Sequence, residues 1–502
     1  MVERKKRKSI LTSFPRTFWV ANVMELFERG AYYGMNSVLA VYLVKVLNFR
    51  EQSVGFLQGF VYALTYIMPI IGGALAERLG YRRMLLVAFS LLTVGYFAAG
   101  NFTSYGLIFL FLLIMATGSG LFKPIISGTI ARTTTKETSG FGFGVYYWSI
   151  NLGAFLAPLF VSWVKGFNWK YVFFSSALWC FLMLLPVAFL YKEPERPEST
   201  KTIKKVLAEA FLILRDSRFM LMIIIYSCFW ILYFQMFGSV LWYLRDFINR
   251  TPVDAFMENL GIPFRFDAEH VTAINAGTII LLVVLVSRIV KKLKPLPVMS
   301  TGIIFGMGGF LILALTHNAW MFVLGIAVFS LGEMTAHPKY YSYVGIVAPK
   351  DKVAVYMGYA FLYGVIGSLV GSNVGAFLYE KILKPVVPSS ESVQAGVPLA
   401  PHVLSEIRLF WLIFAVLAVF CVIGLLWYNK HFSKDTPEAN RKAWRIMMGI
   451  YVGLSIIGIY FMVASLFLSA QIQWKMFIQS LIMLGFGVGG IRISFKGREE
   501  IF

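Results

Sequence analysis

MELFERGAYYGMN, residues 24–36, lies inside the first long apolar run of the chain and decides how the rest is read. Glu25, Glu28 and Arg29 place three charges at the expected depth of a bilayer, at a cost of about 2.5–3.5 kcal/mol each even on the lenient insertion scale. Such residues persist only where they face a protein interior or a watery cavity. Glu28, Arg29, Tyr32 and Tyr33 follow Glu25 at spacings of three, four, seven and eight, so all five share one helical face. One polar stripe on a lipid-embedded helix marks a pathway for a solute or an ion.

Working outward, the composition fits that reading. The 502 residues are 58% hydrophobic and 17% aromatic, only 14% are charged, and mean hydropathy is +0.71. A soluble chain of this composition would aggregate, so the class is a polytopic all-α membrane protein. The net charge of +21 sits largely in short connections between apolar runs. That is the positive-inside pattern, so the charge speaks for topology and for contact with membrane lipids of anionic type, not for nucleic acid. Cys180, Cys228 and Cys421 lie in apolar runs and suggest neither disulfide nor metal site. No phosphate-binding glycine loop, nucleophile triad or metal-ligand cluster is legible, so no enzyme activity, cofactor or metal is expected. MVERKKRKS is followed by a long charged helix, which is unlike a signal peptide.

A membrane helix needs about 20 mainly apolar residues. Such runs stand near 18–46, 53–76, 84–100, 105–132, 140–165 and 171–191, and again near 219–246, 270–290, 297–316, 319–347, 354–383 and 407–429. Two more, near 442–468 and 474–493, close the chain. The expected organisation is a basic N-terminus (1–17), a six-helix half (18–191), a linker (192–218) whose amphipathic stretch 203–216 lies on the inner leaflet, a second half (219–429), an extra transmembrane hairpin (442–493) and a tail (494–502). The basic loops 78–83, 132–138, 192–205, 291–294, 348–352 and 429–435 all fall on the side of the N-terminus. Both termini are therefore expected in the cytoplasm, with the protein multi-pass in the cell (inner) membrane. Six spans, a polar linker and six spans suggest two halves of one transporter.

GGALAERLGYRRM (72–84) resembles the signature loop of the major facilitator superfamily, with Glu77 where Asp is commoner; Glu77, Arg78, Arg82 and Arg83 are candidates for a gating charge cluster. ELFERGAYYG (25–34) resembles the first-helix ExxERFxYYG motif of the proton-dependent oligopeptide transporter family, departing at Gly30. GLFKPIIS (120–127), YYWSINLGAF (146–155) and GEMTAHP (332–338) are similar to that family's fourth-, fifth- and tenth-helix motifs, with His337 in place of Ser. The matches run in order and cover most of 18–380. They imply a major facilitator fold of two six-helix halves, here with a C-terminal helix pair; many bacterial relatives carry such a pair between the halves.

The resemblance also implies proton-coupled uptake of di- and tripeptides, or similar zwitterions, by alternating access. A zwitterion needs a cation at one end of its site and an anion at the other. Arg29 and Lys123 could hold the carboxylate and Glu333 the ammonium, with Asn151 and Asn275 for the amides and Tyr32, Tyr33 and Tyr66 as walls. The resemblance further implies that Lys123 pairs with Glu333 between the halves. The intramembrane charges, Glu25, Glu28, Arg29, Lys123 and Glu333, sum to one excess negative charge, which one bound proton would neutralise; these five are the candidates for proton coupling. His337 is a weaker one.

Three departures touch the expected cavity. Phe234 stands where the family commonly has an acid, KYYSY (339–343) follows Pro338 in place of Gly-Leu-Ser, and no Trp stands near Tyr356–Gly358. The alternatives are therefore a transporter of a non-peptide solute with altered or absent proton coupling, and a non-transporting receptor or scaffold whose hairpin 442–493 recruits a partner protein. The glycines of 485–490 read as tight packing, with a homo-oligomer surface second. Gly367, Gly371 and Gly375 read as a small-residue packing seam.

Overall fold

The computed structural model describes residues 13–135, 137–194, 214–262, 264–315, 317–349, 353–467 and 473–496. Residues 203–213 of the amphipathic stretch and most of the linker, the 348–352 loop beyond 349, and the tail beyond 496 lie outside the described residues. Among those described, thirteen helices are long and apolar enough to cross a membrane. The helix holding Glu25, Glu28 and Arg29 is not one of them, because three charges crowd it; at 26 residues it is long enough, and it makes the fourteenth.

Helices α1 (Arg16–Val41), α2 (Glu51–Leu79), α3 (Tyr81–Asn101), α4 (Tyr105–Arg132), α5 (Ser139–Lys165) and α6 (Lys170–Phe189) form the first half. The turn between α2 and α3 is one residue, Gly80, at φ +100°, a conformation that favours glycine. In the second half come α7 (Ser217–Tyr233), α8 (Ser239–Phe247), a short α9 (Thr251–Asn259), α10 (Glu269–Val290), α11 (Pro295–Leu315), α12 (Ala319–Val347), α13 (Val353–Ala360), α14 (Leu362–Leu378), a one-turn α15 (Ser390–Gln394) and α16 (Pro401–Phe432). The hairpin is α17 (Pro437–Phe467) with α18 (Trp474–Lys496).

Two of the spans expected to be continuous are broken. The seventh splits into α7 and α8 at a 3-10 turn, Phe234–Phe237, and Gly238. Buried amides freed by a break need new partners. Gln235 supplies bonds there, donating to the carbonyls of Ile231 and Gly371 and accepting from Ser239. The eleventh breaks at Phe361 and ends in a wide turn, Tyr379–Leu383.

The halves meet where α2 packs on α14 and α5 on α10. The face carrying the start of α1 and the α2–α3 turn is termed the basic face. On the opposite face the halves are tied by charge. Lys165 at the end of α5 meets Asp267 at 2.7 Å and Glu269 at 2.8 Å, and Arg250 meets Asp267 at 3.1 Å. On the other flank Lys384 meets Glu51 at 2.5 Å, and Arg50 pairs with Glu380. Beneath these clasps, Trp242 Nε1 donates to the Ala40 carbonyl at 3.1 Å and Gln58 Nε2 to the Phe237 carbonyl at 2.9 Å. The protein is therefore closed on the face opposite the basic one.

Candidate functional site

The charged stripe of α1 is walled in by α4, α5 and α6. Gly153 lets α5 lie against it: a Cβ there would meet the Leu26 carbonyl at 2.7 Å. Arg29 Nε donates to Glu28 at 2.5 Å and stands 3.6 Å from Glu25. Ser119 closes the cluster, accepting from Arg29 at 3.2 Å and donating to Glu28 at 2.8 Å. All three charged residues are buried, and one oxygen of Glu25 has no hydrogen-bond partner. The guanidinium lies 5.0 Å from the Tyr32 ring centre and 6.0 Å from that of Tyr33. Buried ions must be paired and hydrogen-bonded to be tolerated, and this cluster meets that demand except at Glu25.

Lys123 does not pair with Glu333, contrary to the expectation. Its ammonium lies 4.9 Å from the ring centre of Tyr66, a cation–π contact. Glu333 instead accepts from Asn275 at 2.9 Å, and the same amide reaches Ser330 at 2.9 Å. Tyr66 itself faces the second half, its ring centre 6.1 Å from Trp230, 6.1 Å from Phe234 and 6.0 Å from Tyr363. The structure thus gathers Arg29, Tyr32, Tyr33, Tyr66 and Lys123 on one side and Asn275 and Glu333 on the other. A cavity of about 10 Å³, room for one water, lies beside Asn275, lined by Tyr233, Met236, Phe237, Val271 and Thr272.

Two further site residues have local partners. Asn151 commits one amide N–H to its own helix, at the Tyr147 carbonyl, which leaves its second N–H and its oxygen for a ligand. In the 72–84 loop, Arg82 donates to the carbonyls of Val187 and Ala188 at the end of α6. That bond pins the loop within its own half rather than across a gate; Glu77, Arg78 and Arg83 are exposed beside it.

Phe234, the missing acid, faces the first half. Its ring stacks on Tyr62 at 5.2 Å and 20° and meets Tyr66 edge-on at 6.1 Å. Trp230 and Tyr363 complete an aromatic wall around Tyr66. His337 sits against this wall, 5.0 Å from Trp230 and 5.0 Å from Tyr341 by ring centres, with Nδ1 3.4 Å from the Tyr226 hydroxyl.

The geometry can be set beside known proteins. A family model described as Major Facilitator Superfamily matches residues 22–372. The chain belongs to the Major Facilitator Superfamily. A dipeptide and tripeptide permease A of Klebsiella pneumoniae is 32% identical over 183 residues, a match that spans 36% of each chain. The dipeptide and tripeptide permease A of Serratia proteamaculans is 24% identical over 490 residues, covering 86% of this chain and 95% of the permease. A solved POT family transporter in complex with 5-aminolevulinic acid superposes with a TM-score of 0.65 at 18% identity, covering 84% and 99% of the two chains. A peptide transporter POT in complex with sulfate gives 0.63 at 19%, covering 83% and 95%. The motif resemblance to the proton-dependent oligopeptide transporters is borne out by these relatives, and this superfamily member is no enzyme.

Sequence reasoning missed Ser119, the Tyr62–Phe234 stack and both ionic clasps. Ser119 had a legible signal, standing one turn before Lys123 on the same face. The clasps join residues more than a hundred positions apart, and single-sequence spacing carries no trace of them.

Proposed function

We propose that the protein takes up di- or tripeptides, or peptide-like zwitterions, in symport with protons by alternating access. The basic face would be cytoplasmic, and the closed face would be the outer one, so this is an inward-facing or occluded state. The observation that carries the reading is the opposition across the halves of Lys123, held by the Tyr66 ring, and Glu333, held by Asn275, neither in an ion pair, while Arg29 stays paired with Glu28. Lys123 and Arg29 stand on one half and Glu333 with Asn275 on the other, with Tyr66 between. A zwitterion could bridge them, its carboxylate on the cations and its ammonium on Glu333. The three acids and two bases supply the excess negative charge that a proton would neutralise.

Phe234 supports a second reading, in which the substrate is not a peptide or the coupling is altered. An aromatic stack carries no proton where relatives commonly have an acid. The deciding experiment is uptake into proteoliposomes under an inward proton gradient, with a panel of di- and tripeptides, amino acids and unrelated anions. Saturable, gradient-driven accumulation of peptides is expected. Peptide-independent uptake of another solute would establish the second reading, and no response to the gradient would end the proton claim.

A further inference from the structure

We propose that the C-terminal hairpin is a brace on the outer gate, with Lys475 and Gln479 as its working residues. At its base the hairpin belongs to the second half. α17 packs on α7, and Asp435, just before α17, lies 3.5 Å from Arg218 at the start of α7. Within the hairpin, Trp444 Nε1 donates to the Ser494 carbonyl at 3.2 Å, and Gly487 and Gly490 fit against Ser455 and Tyr451. Gly487 and Gly490 are therefore used in closing the hairpin on itself, while a Cβ at Gly485 or Gly489 would meet nothing within 4 Å.

The start of α18 reaches the seam between the halves. Lys475 Nζ donates to Ser53 Oγ at 2.5 Å and lies 5.1 Å from the ring centre of Tyr105. Ser53 opens α2 and Tyr105 opens α4, both in the first half; the Tyr105 hydroxyl donates to the Ser53 carbonyl at 2.9 Å. One turn further along the same face, Gln479 donates to Asn373 Oδ1 at 3.1 Å, on α14 of the second half. These contacts flank the Glu51–Lys384 and Arg50–Glu380 clasp. A hairpin rooted on one half can touch Ser53 and Tyr105 only while the outer ends of α2 and α14 are together. The contacts at the start of α18 therefore favour the closed outer gate, by differential contact with the two states.

The inference rests on the rocking motion proposed above, and the test separates the two. Spin labels at Thr103→Cys and Ser390→Cys, exposed on the outer ends of the two halves, report the opening by pulsed distance measurement in the full chain without substrate. Lys475→Ala with Gln479→Ala should raise the ratio of open to closed outer gate about three- to ten-fold, the scale of a cation–π and a charge-assisted contact. Lys475→Arg should stay near wild type. Glu51→Gln with Glu380→Gln and Lys165→Met, which removes the ionic clasps between the halves, is the reference for opening. If the clasp variant opens and the Lys475 and Gln479 double variant does not, the brace is overturned while rocking stands. If neither opens, the rocking motion and the brace fall together.

Discussion

Arg29 is the residue on which the site depends most. It neutralises one of two buried carboxylates and orders the other, with Ser119 as the third corner. Removing one partner of a buried ion cluster costs about 3–5 kcal/mol, because a charge is left uncompensated. Arg29→Ala should therefore lower thermal stability strongly and abolish uptake. Arg29→Ala combined with Glu28→Gln should recover much of the stability but no transport; recovered transport would show that the arginine is only structural. Glu333→Gln keeps the Asn275 contact and should spare the fold while eliminating uptake of zwitterions. At Phe234, truncation to Ala opens a cavity against Tyr62 and should cost about 3–5 kcal/mol, seen as a lower melting temperature.

At the scale of elements, packing depends on where small residues let helices touch. Gly367 and Gly371 on α14 lie against Trp230 and Ile231 of α7; a Cβ at Gly367 would fall 2.5 Å from the Trp230 Cβ. The seam thus sets the position of Trp230 and, through it, the aromatic wall. Gly367→Val should cost about 1–3 kcal/mol by overpacking and should reduce substrate affinity as the wall shifts, read by thermal shift with and without peptide. The motif pattern of α1, α4, α5 and α12 was legible because charges and glycines recur at helical spacing inside apolar runs. The breaks in the seventh and eleventh spans were not, because apolar runs look alike whether the helix continues or turns at depth.

For the whole molecule, the state is set by the clasps between halves. Asp267 lies in the loop before α10. Burial pushes its carboxyl up, but Lys165, then Arg250 and the Ala268 amide, hold it below the ordinary aspartate value. A carboxylate whose value is lowered in the closed state favours that state above its released value, and the benefit is lost as pH falls through the lowered one. The clasp should therefore hold between about pH 5 and 7 and loosen only below the ordinary aspartate range. Distance measurements across the outer gate as a function of pH check this. Opening at mildly acid pH would then come from groups within the membrane, and Lys165→Met should remove the strongly acid transition while leaving any milder one.

By itself the sequence determined the class, the number of spans and most of the residues gathered at the site. Membrane insertion imposes long apolar runs, and buried charge is too costly to stand there without a purpose. Only the tertiary structure decided which charges pair. Lys123 rests on Tyr66 and Glu333 on Asn275, and that choice follows from the conformation, closed on one face, in which the halves meet. It also decided the place of the hairpin, where Lys475 and Gln479 at the start of α18 touch both halves. Spacing along a chain fixes which face of a helix a residue occupies; what that face meets depends on contacts between distant segments, which only the folded arrangement supplies.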